Sequence, residues 1–259
     1  MPMQTRHERY DEDSKGKALR EEFLSLLDRA PVACRMELET ELLDARLAVE
    51  TGEPLASLLT VERLTRARLR ERAGGAPSNK IAHAQVHRNL SRSILSTLAT
   101  LWLLHELVPA SHANRTVRIA KPEPDSRRAA AGFADVRSGS IADLGAAIAD
   151  VTHALEAVSI PRARILPALR RSNCAIAIAA PYLVVLRHGG PAHDMRPALA
   201  RFLGSVAPRF AGEIFWRDPG APGESPRADL PEPRAIRVTC CLKYTCAARR
   251  FCGTCPKRD

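Results

Sequence analysis

From Ala18 to Val206, apolar residues recur at three- and four-residue intervals, the spacing that gathers them on one face of a helix. Ala18 to Leu27 reads as a helix ended by Pro31, and Met36 to Glu50 as a second that stops before Gly52 and Pro54. Leu55 to Arg72 reads as a third, closed by Gly74 and Gly75. The longest signal starts at Ser78 or Asn79, either of which can cap it. It carries Val86, Leu90, Ile94, Leu98 and Leu101 in one stripe towards Pro109 and is expected to be the central core helix.

From Thr116 to Val136 the spacing changes. Thr116 to Ala120 and Ala129 to Val136 flank a Lys-Pro-Glu-Pro-Asp turn, the make-up of a hairpin. Helical spacing returns at Ile141 to Val158, at Pro161 to Leu186 with a break before Pro181, and at Pro191 to Val206. Residues 218–233 hold five prolines among Gly, Ser and acids and read as an extended linker. The expected fold is α+β, mainly α. A helical body with one small β-hairpin or sheet occupies 1–217, the linker 218–233, and a cysteine-rich module 234–259.

Composition supports this reading, since aromatic residues make up only 4 % while Ala, Leu and Arg are abundant. The net charge of +10 suits nucleic acid, a membrane surface or an acidic partner equally, and its arginines are spread over helices. Met1 to Lys17 has no apolar core of signal-peptide length. The longest apolar run, Cys174 to Leu186, falls short of the roughly 18–20 residues that cross a bilayer. A soluble cytoplasmic protein is expected.

Cysteine usage changes the picture. Five of the seven cysteines fall in the last twenty residues, while Cys34 and Cys174 stand alone. A reducing cytoplasm keeps such a cluster as thiols free to bind metal, whereas a disulfide framework spreads through a short secreted chain. The tail runs Cys240-Cys241, ten residues, then Cys252-Gly253-Thr254-Cys255-Pro256. A Cys-x-x-Cys turn lets two thiolates converge on one metal atom, with Gly253 free to take a positive φ and Pro256 ending the turn. Two adjacent cysteines are unusual for a structural zinc site, and four thiolates also suffice for a 2Fe-2S cluster. The residues alone leave both readings open.

This Cys-Cys-x10-Cys-x2-Cys pattern, preceded by Arg237 and followed by Pro256, resembles the FhuF-type siderophore-iron reductases. The resemblance is specific over residues 237–256. In the body it is loose, carried by helix content and by Ser172-Asn173-Cys174-Ala175. It implies that Cys240, Cys241, Cys252 and Cys255 ligate a 2Fe-2S cluster and that no catalytic residue is needed beyond these ligands. It also implies an oxidoreductase that releases iron by one-electron reduction of a ferric siderophore. Reduction loosens the complex because Fe(III) is held hard by oxygen ligands and the softer Fe(II) is not. Gly74-Gly75 and Gly189-Gly190 lack the strand-turn-helix setting of a dinucleotide site, so the electrons are expected from a separate donor, a ferredoxin or a reductase. The body is expected to serve as the substrate platform, through a pocket between its helices and the hairpin.

Other residues carry weaker signals. Cys246 reads as a bystander, because four thiols already complete the set. His83 and His87 lie four apart on the long helix and can reach one metal, yet helical histidines at a core edge are far commoner than ligands. His105, Glu106, His188 and His193 have no visible third partner and read as solvated loop or cap residues. Arg234, Arg237, Lys243, Arg249, Arg250, Lys257 and Arg258 face only Asp259 beyond Pro233, a balance that suits a net-negative metal centre and an anionic chelate. The rival reading is a zinc-stabilised basic nucleic-acid-binding or interaction protein. Scarce aromatics and the lack of a groove-reading element weigh against it, so no nucleic-acid partner is expected. A loose association with the inner face of the membrane is compatible with the basic balance.

Overall fold

The computed structural model describes residues 6–120, 129–157, 165–218, 233–246 and 252–256. Helix α1 (Arg6–Asp28) starts well ahead of Ala18, because the charged stretch before it contains no proline to stop it. Leu19, Phe23, Leu26 and Leu27 form its buried face. Helix α2 (Val32–Thr51) buries Cys34, Leu38, Leu42, Ala45 and Ala48, a stripe at three- and four-residue spacing.

The single helix expected over Leu55–Arg72 is two, α3 (Leu55–Leu58) and α4 (Val61–Ala73). The break is a capping event: Thr60 takes extended backbone and its Oγ1 accepts from the Arg63 N–H. Helix α5 (Asn79–His105) is capped by Ser78, whose Oγ accepts from the Ile81 N–H, and ends where Glu106 turns left-handed at φ 59°. At 1.5 Å per residue it is roughly 40 Å long and runs through the middle of the molecule.

Among the described residues three short sheets flank the helices. Strands β1 (Glu53–Pro54), β3 (Val117–Ile119) and β4 (Ala131–Phe133) pair antiparallel in the order β1-β3-β4. The β3–β4 pair, with Val117 opposite Phe133 and Ile119 opposite Ala131, is the expected hairpin; its turn at 121–128 lies outside the described residues. Gly132 lets β4 lie against α2, since a Cβ there would stand 1.9 Å from the Ala45 carbonyl oxygen. Val136 leaves this hairpin for β5 (Val136–Ser138), which pairs with β2 (Leu107–Pro109) just after α5. The one-turn α6 (Ala113–Thr116) leads into β3.

Helix α7 (Ile141–Ala157) is followed by residues 158–164, outside the described set, where the start of the helix expected from Pro161 falls. Helices α8 (Pro167–Ile178) and α9 (Ala180–Arg187) meet at a 62° bend next to Pro181, which has no N–H to offer the Ala177 carbonyl. Helix α10 (Ala192–Val206) completes the helical set. No single helix among the described residues is long and apolar enough to cross a membrane. The bent α8–α9 pair passes on composition, and most of its residues are buried inside the body.

The core is centred on Ile94, Leu95, Leu98 and Trp102 of α5. Rings from four helices close it: Phe23 meets Tyr182 at 4.9 Å, Tyr182 meets Phe202 at 5.3 Å, and Trp102 lies 6.3 Å from Phe202. Trp102 is fully buried and its Nε1 donates to the Gly139 carbonyl at 3.0 Å. Trp102→Ala should therefore lower unfolding stability by about 3–5 kcal/mol in urea titrations. A loss under about 1 kcal/mol would show that the ring cluster does not hold the body together.

After α10 the chain forms β6 (Ile214–Arg217), and β7 (Arg234–Arg237) pairs antiparallel with it, Ile214 opposite Arg237 and Arg217 opposite Arg234. The proline-rich segment between them lies almost wholly outside the described residues. The architecture is α+β and mainly α, with the cysteines entering directly from a strand of the body.

Candidate metal centre

Strand β7 delivers the cysteines. Past Arg237 the ladder continues for one bond, Val238 N–H to the Glu213 carbonyl at 3.0 Å, and the chain then turns into Cys240-Cys241. The turn needs Leu242 in the left-handed region at φ 59°, a conformation that disfavours a branched side chain. Packing holds it there, since Leu242 sits against Ala84, Ile165 and Leu169. The payoff is local: the Leu242 N–H points at Cys240 Sγ, 3.4 Å away. Residues 243–245 form a single 3-10 turn, tied by Thr245 Oγ1 donating to the Leu242 carbonyl at 2.6 Å.

The second pair comes back on a tight turn, with the Cys255 N–H donating to the Cys252 carbonyl at 3.1 Å. Arg237 N–H donates to the Thr254 carbonyl at 3.1 Å, so β7 also fixes the Cys-x-x-Cys loop. Cys241 and Cys255 are buried, and Cys240 and Cys252 half-buried.

The sulfurs of the doublet and of the Cys-x-x-Cys come together. Cys241 Sγ lies 3.6 Å from Cys252 Sγ, and Cys255 is close enough to Cys240 to help raise its pKa. All are free thiols. Two thiolates on one tetrahedral metal at about 2.3 Å stand roughly 3.8 Å apart, so the 3.6 Å pair is spaced as co-ligands. Among the described residues no group of three or more His, Cys, Asp or Glu is disposed around a single ion.

Electrostatics favour the thiolate at Cys241 and oppose it at Cys240 and Cys252. The hydrogen bond from Cys252 draws Cys241 down to about 5 against the opposing effect of burial, helped by the positive charges of Arg237 and Arg88. The same bond and burial hold Cys252 well above the usual thiol range, so the pair shares one proton and Cys241 carries the charge. Burial pushes Cys240 up as well.

The body grips this module through polar side chains that sequence reading did not single out as a group. From α5, Gln85 Nε2 donates to the Cys241 carbonyl at 2.6 Å. From α8, Ser172 Oγ donates to the Thr239 carbonyl at 3.3 Å. Arg237, one of the basic residues counted around the cysteines, is 1 % exposed. Its Nε donates to Ser172 Oγ at 3.1 Å and its Nη2 to Asn173 Oδ1 at 2.6 Å. The one sequence signal for this was Ser172-Asn173, the short stretch of the body that shared in the family resemblance.

The remaining flagged residues have other surroundings. Cys246 is 3 % exposed and packs on Ala76 and Ala82. His83 and His87 are buried along a small apolar cavity with Leu64, Val86, Leu90 and Arg170, and burial pushes them down to about 4 and 3, so both are neutral. Because Asn173 Oδ1 accepts from Arg237, its Nδ2 must donate to His87 Nδ1, 3.3 Å away, which leaves the proton of neutral His87 on Nε2. That tautomer presents no Nε2 lone pair to a metal. Glu106 is the left-handed cap of α5 and pairs with Arg20; His188 bonds Glu37; His105 and His193 are exposed.

A cavity of about 420 Å³ lies between α2, α5 and the start of β4, where a pocket beside the hairpin was expected, lined by Glu37, Glu41, Asp44, Arg92, Ser93 and Thr97 among others. Comparison of the chain with protein-family models, with curated proteins and with solved structures finds no match.

Proposed function

We propose that this chain is a cytoplasmic ferric-siderophore reductase whose Cys240, Cys241, Cys252 and Cys255 hold a 2Fe-2S cluster. The observation that carries the reading is the gathering of the four cysteines, with Cys241 Sγ 3.6 Å from Cys252 Sγ and Cys255 close enough to act on both Cys240 and Cys252. Four thiolates suffice for a 2Fe-2S cluster, and the adjacent Cys240-Cys241 doublet is unusual for a structural zinc site. The residues fit such a group in other respects as well. Leu242 N–H is aimed at a ligand sulfur, and a buried cation stands behind the module. The Cys-Cys-x10-Cys-x2-Cys pattern supplies the substrate class through its resemblance to siderophore-iron reductases.

When bound, the cluster supplies one-electron chemistry, matched to the single electron between tightly held Fe(III) and loosely held Fe(II). The chain's own part is to hold thiolates. Arg237 and Arg88 favour the ionised form of Cys241, β7 and the Leu242 turn fix the two loops, and Gln85 and Ser172 anchor the backbone beside them. Cys240 and Cys252, half-buried where Cys241 and Cys255 are buried, are the more accessible of the four to a donor protein and the chelate.

The test uses anaerobically isolated, chemically reduced protein mixed with a ferric hydroxamate siderophore and a ferrous-specific chelator. The visible spectrum should return to the oxidised form while the ferrous complex accumulates, since trapping Fe(II) draws the transfer forward. With an anionic chelate the rate should fall as salt rises. A protein that stays reduced with hydroxamate, catecholate and citrate-type chelates alike would overturn the reductase reading while leaving the centre itself standing.

A further inference from the structure

Arg237 is among the largest fully buried side chains of the protein, yet both of its hydrogen-bonded partners, Ser172 Oγ and Asn173 Oδ1, are neutral. Among the described residues no carboxylate forms an ion pair with it; Glu213, on the strand entry opposite, is engaged by Arg171 at 2.8 Å. A guanidinium stripped of water and left without an anion is expensive, and proteins keep such a charge only where something negative compensates it.

The position of Arg237 says what that anion is. Its own backbone N–H holds the Thr254 carbonyl inside the Cys-x-x-Cys loop, and the Ser172 hydroxyl it bonds reaches the Thr239 carbonyl just before the doublet. The guanidinium thus sits behind both cysteine loops at once. It is also locked there: Asn173 is held between Arg237 and His87, and His87 is held in turn by Ser91 at 3.3 Å. The charge cannot swing out to solvent without breaking a chain of buried bonds that spans β7, α8 and α5.

We propose that Arg237 is the buried countercharge of the metal centre and that its fixed positive charge raises the centre's reduction potential. This rests on the iron-sulfur reading above. Two ferric ions, two sulfides and four thiolates sum to a charge of about −2, and one added electron makes it about −3. A preorganised buried cation stabilises the more negative form more strongly, and salt screens it much less than it screens the surface arginines and lysines. Arg237 is a positioning and electrostatic residue in this proposal, and it never touches the chelate.

The experiment is a potentiometric titration of full-length protein followed by electron paramagnetic resonance, with iron and sulfide measured on every sample. Arg237→Gln removes the charge. Asn173→Asp leaves the arginine in place and neutralises it with an adjacent carboxylate of nearly the same shape. In both, the ratio of reduced to oxidised centre at a given potential should fall at least tenfold, a downward shift of about 59 mV for a one-electron couple. Arg237→Lys keeps the charge and should shift the ratio less than threefold.

If Arg237→Gln does not fold, Asn173→Asp decides on the same scale. Loaded variants that titrate with the wild-type midpoint would overturn the role of Arg237 and leave the centre intact, and so would a lysine variant that shifts as far as the glutamine one. Wild-type protein without iron and sulfide would remove the centre and this inference together.

Discussion

Cys241→Ser should give a folded but colourless protein, with iron and sulfide at background. Cys241 is the strongest single test because most of the site's features meet on it. It is 2 % exposed, its sulfur lies 3.6 Å from Cys252, its carbonyl is fixed by Gln85, and the field of Arg237 and Arg88 falls on it. A serine hydroxyl fits the space but does not ionise near neutral pH, so the position loses a soft anionic ligand while Arg237 loses part of its compensation. Cys240→Ser, Cys252→Ser and Cys255→Ser should likewise abolish or strongly alter the visible spectrum. Cys246→Ser should leave it largely intact, because Cys246 faces Ala76 and Ala82. Far-ultraviolet circular dichroism should be the same for all five. A colourless Cys246→Ser beside a coloured Cys241→Ser would overturn the ligand assignment.

Ending the chain at Pro233 should cost the body far more than the loss of a tethered appendage would. Ala235 and Ile236 are buried, β7 completes the ladder of β6, and Arg237 fills the space over Ser172 and Asn173. Removing Ile236 alone matches a large core truncation, about 2–5 kcal/mol, and the orphaned polar groups on α8 and α5 add to it. For a body of this size each kcal/mol lowers the melting temperature by roughly 2–4 °C, so a fall of about 10 °C or more is expected, with helical circular dichroism retained at low temperature. An unchanged melting temperature would show that the C-terminal segment is an independent module on a linker, the arrangement that a count of prolines favours.

The contrast in these two experiments marks how far sequence carries. Helix positions were legible because the apolar residues of α2, α5, α7 and α10 repeat with the helical period, and a one-dimensional pattern suffices to fix which face is buried. The bend before Pro181 was legible for a covalent reason, a missing N–H. The split at Thr60 was missed because a threonine in a helical stripe reads as helix until its hydroxyl is seen bonding the Arg63 N–H.

The candidate ligands were legible because their chemistry lies in residue type and local spacing: the doublet and the Cys-x-x-Cys name four thiols whatever the rest of the chain does. How those thiols pair, and what stands behind them, was not. Arg237 looks like any other member of a basic tail, since burial of a charge is decided by partners that are distant in sequence, here Ser172 and Asn173 at separations of 65 and 64 residues. Gln85 meets the Cys241 carbonyl across 156 residues, and Leu242 keeps its left-handed turn only because Ala84, Ile165 and Leu169 pack on it. Sequence by itself determined which thiols are the candidate ligands; only the tertiary structure decided where a buried charge and its neutral hydrogen bonds hold them, because those bonds exist only once α5, α8 and β7 are packed together.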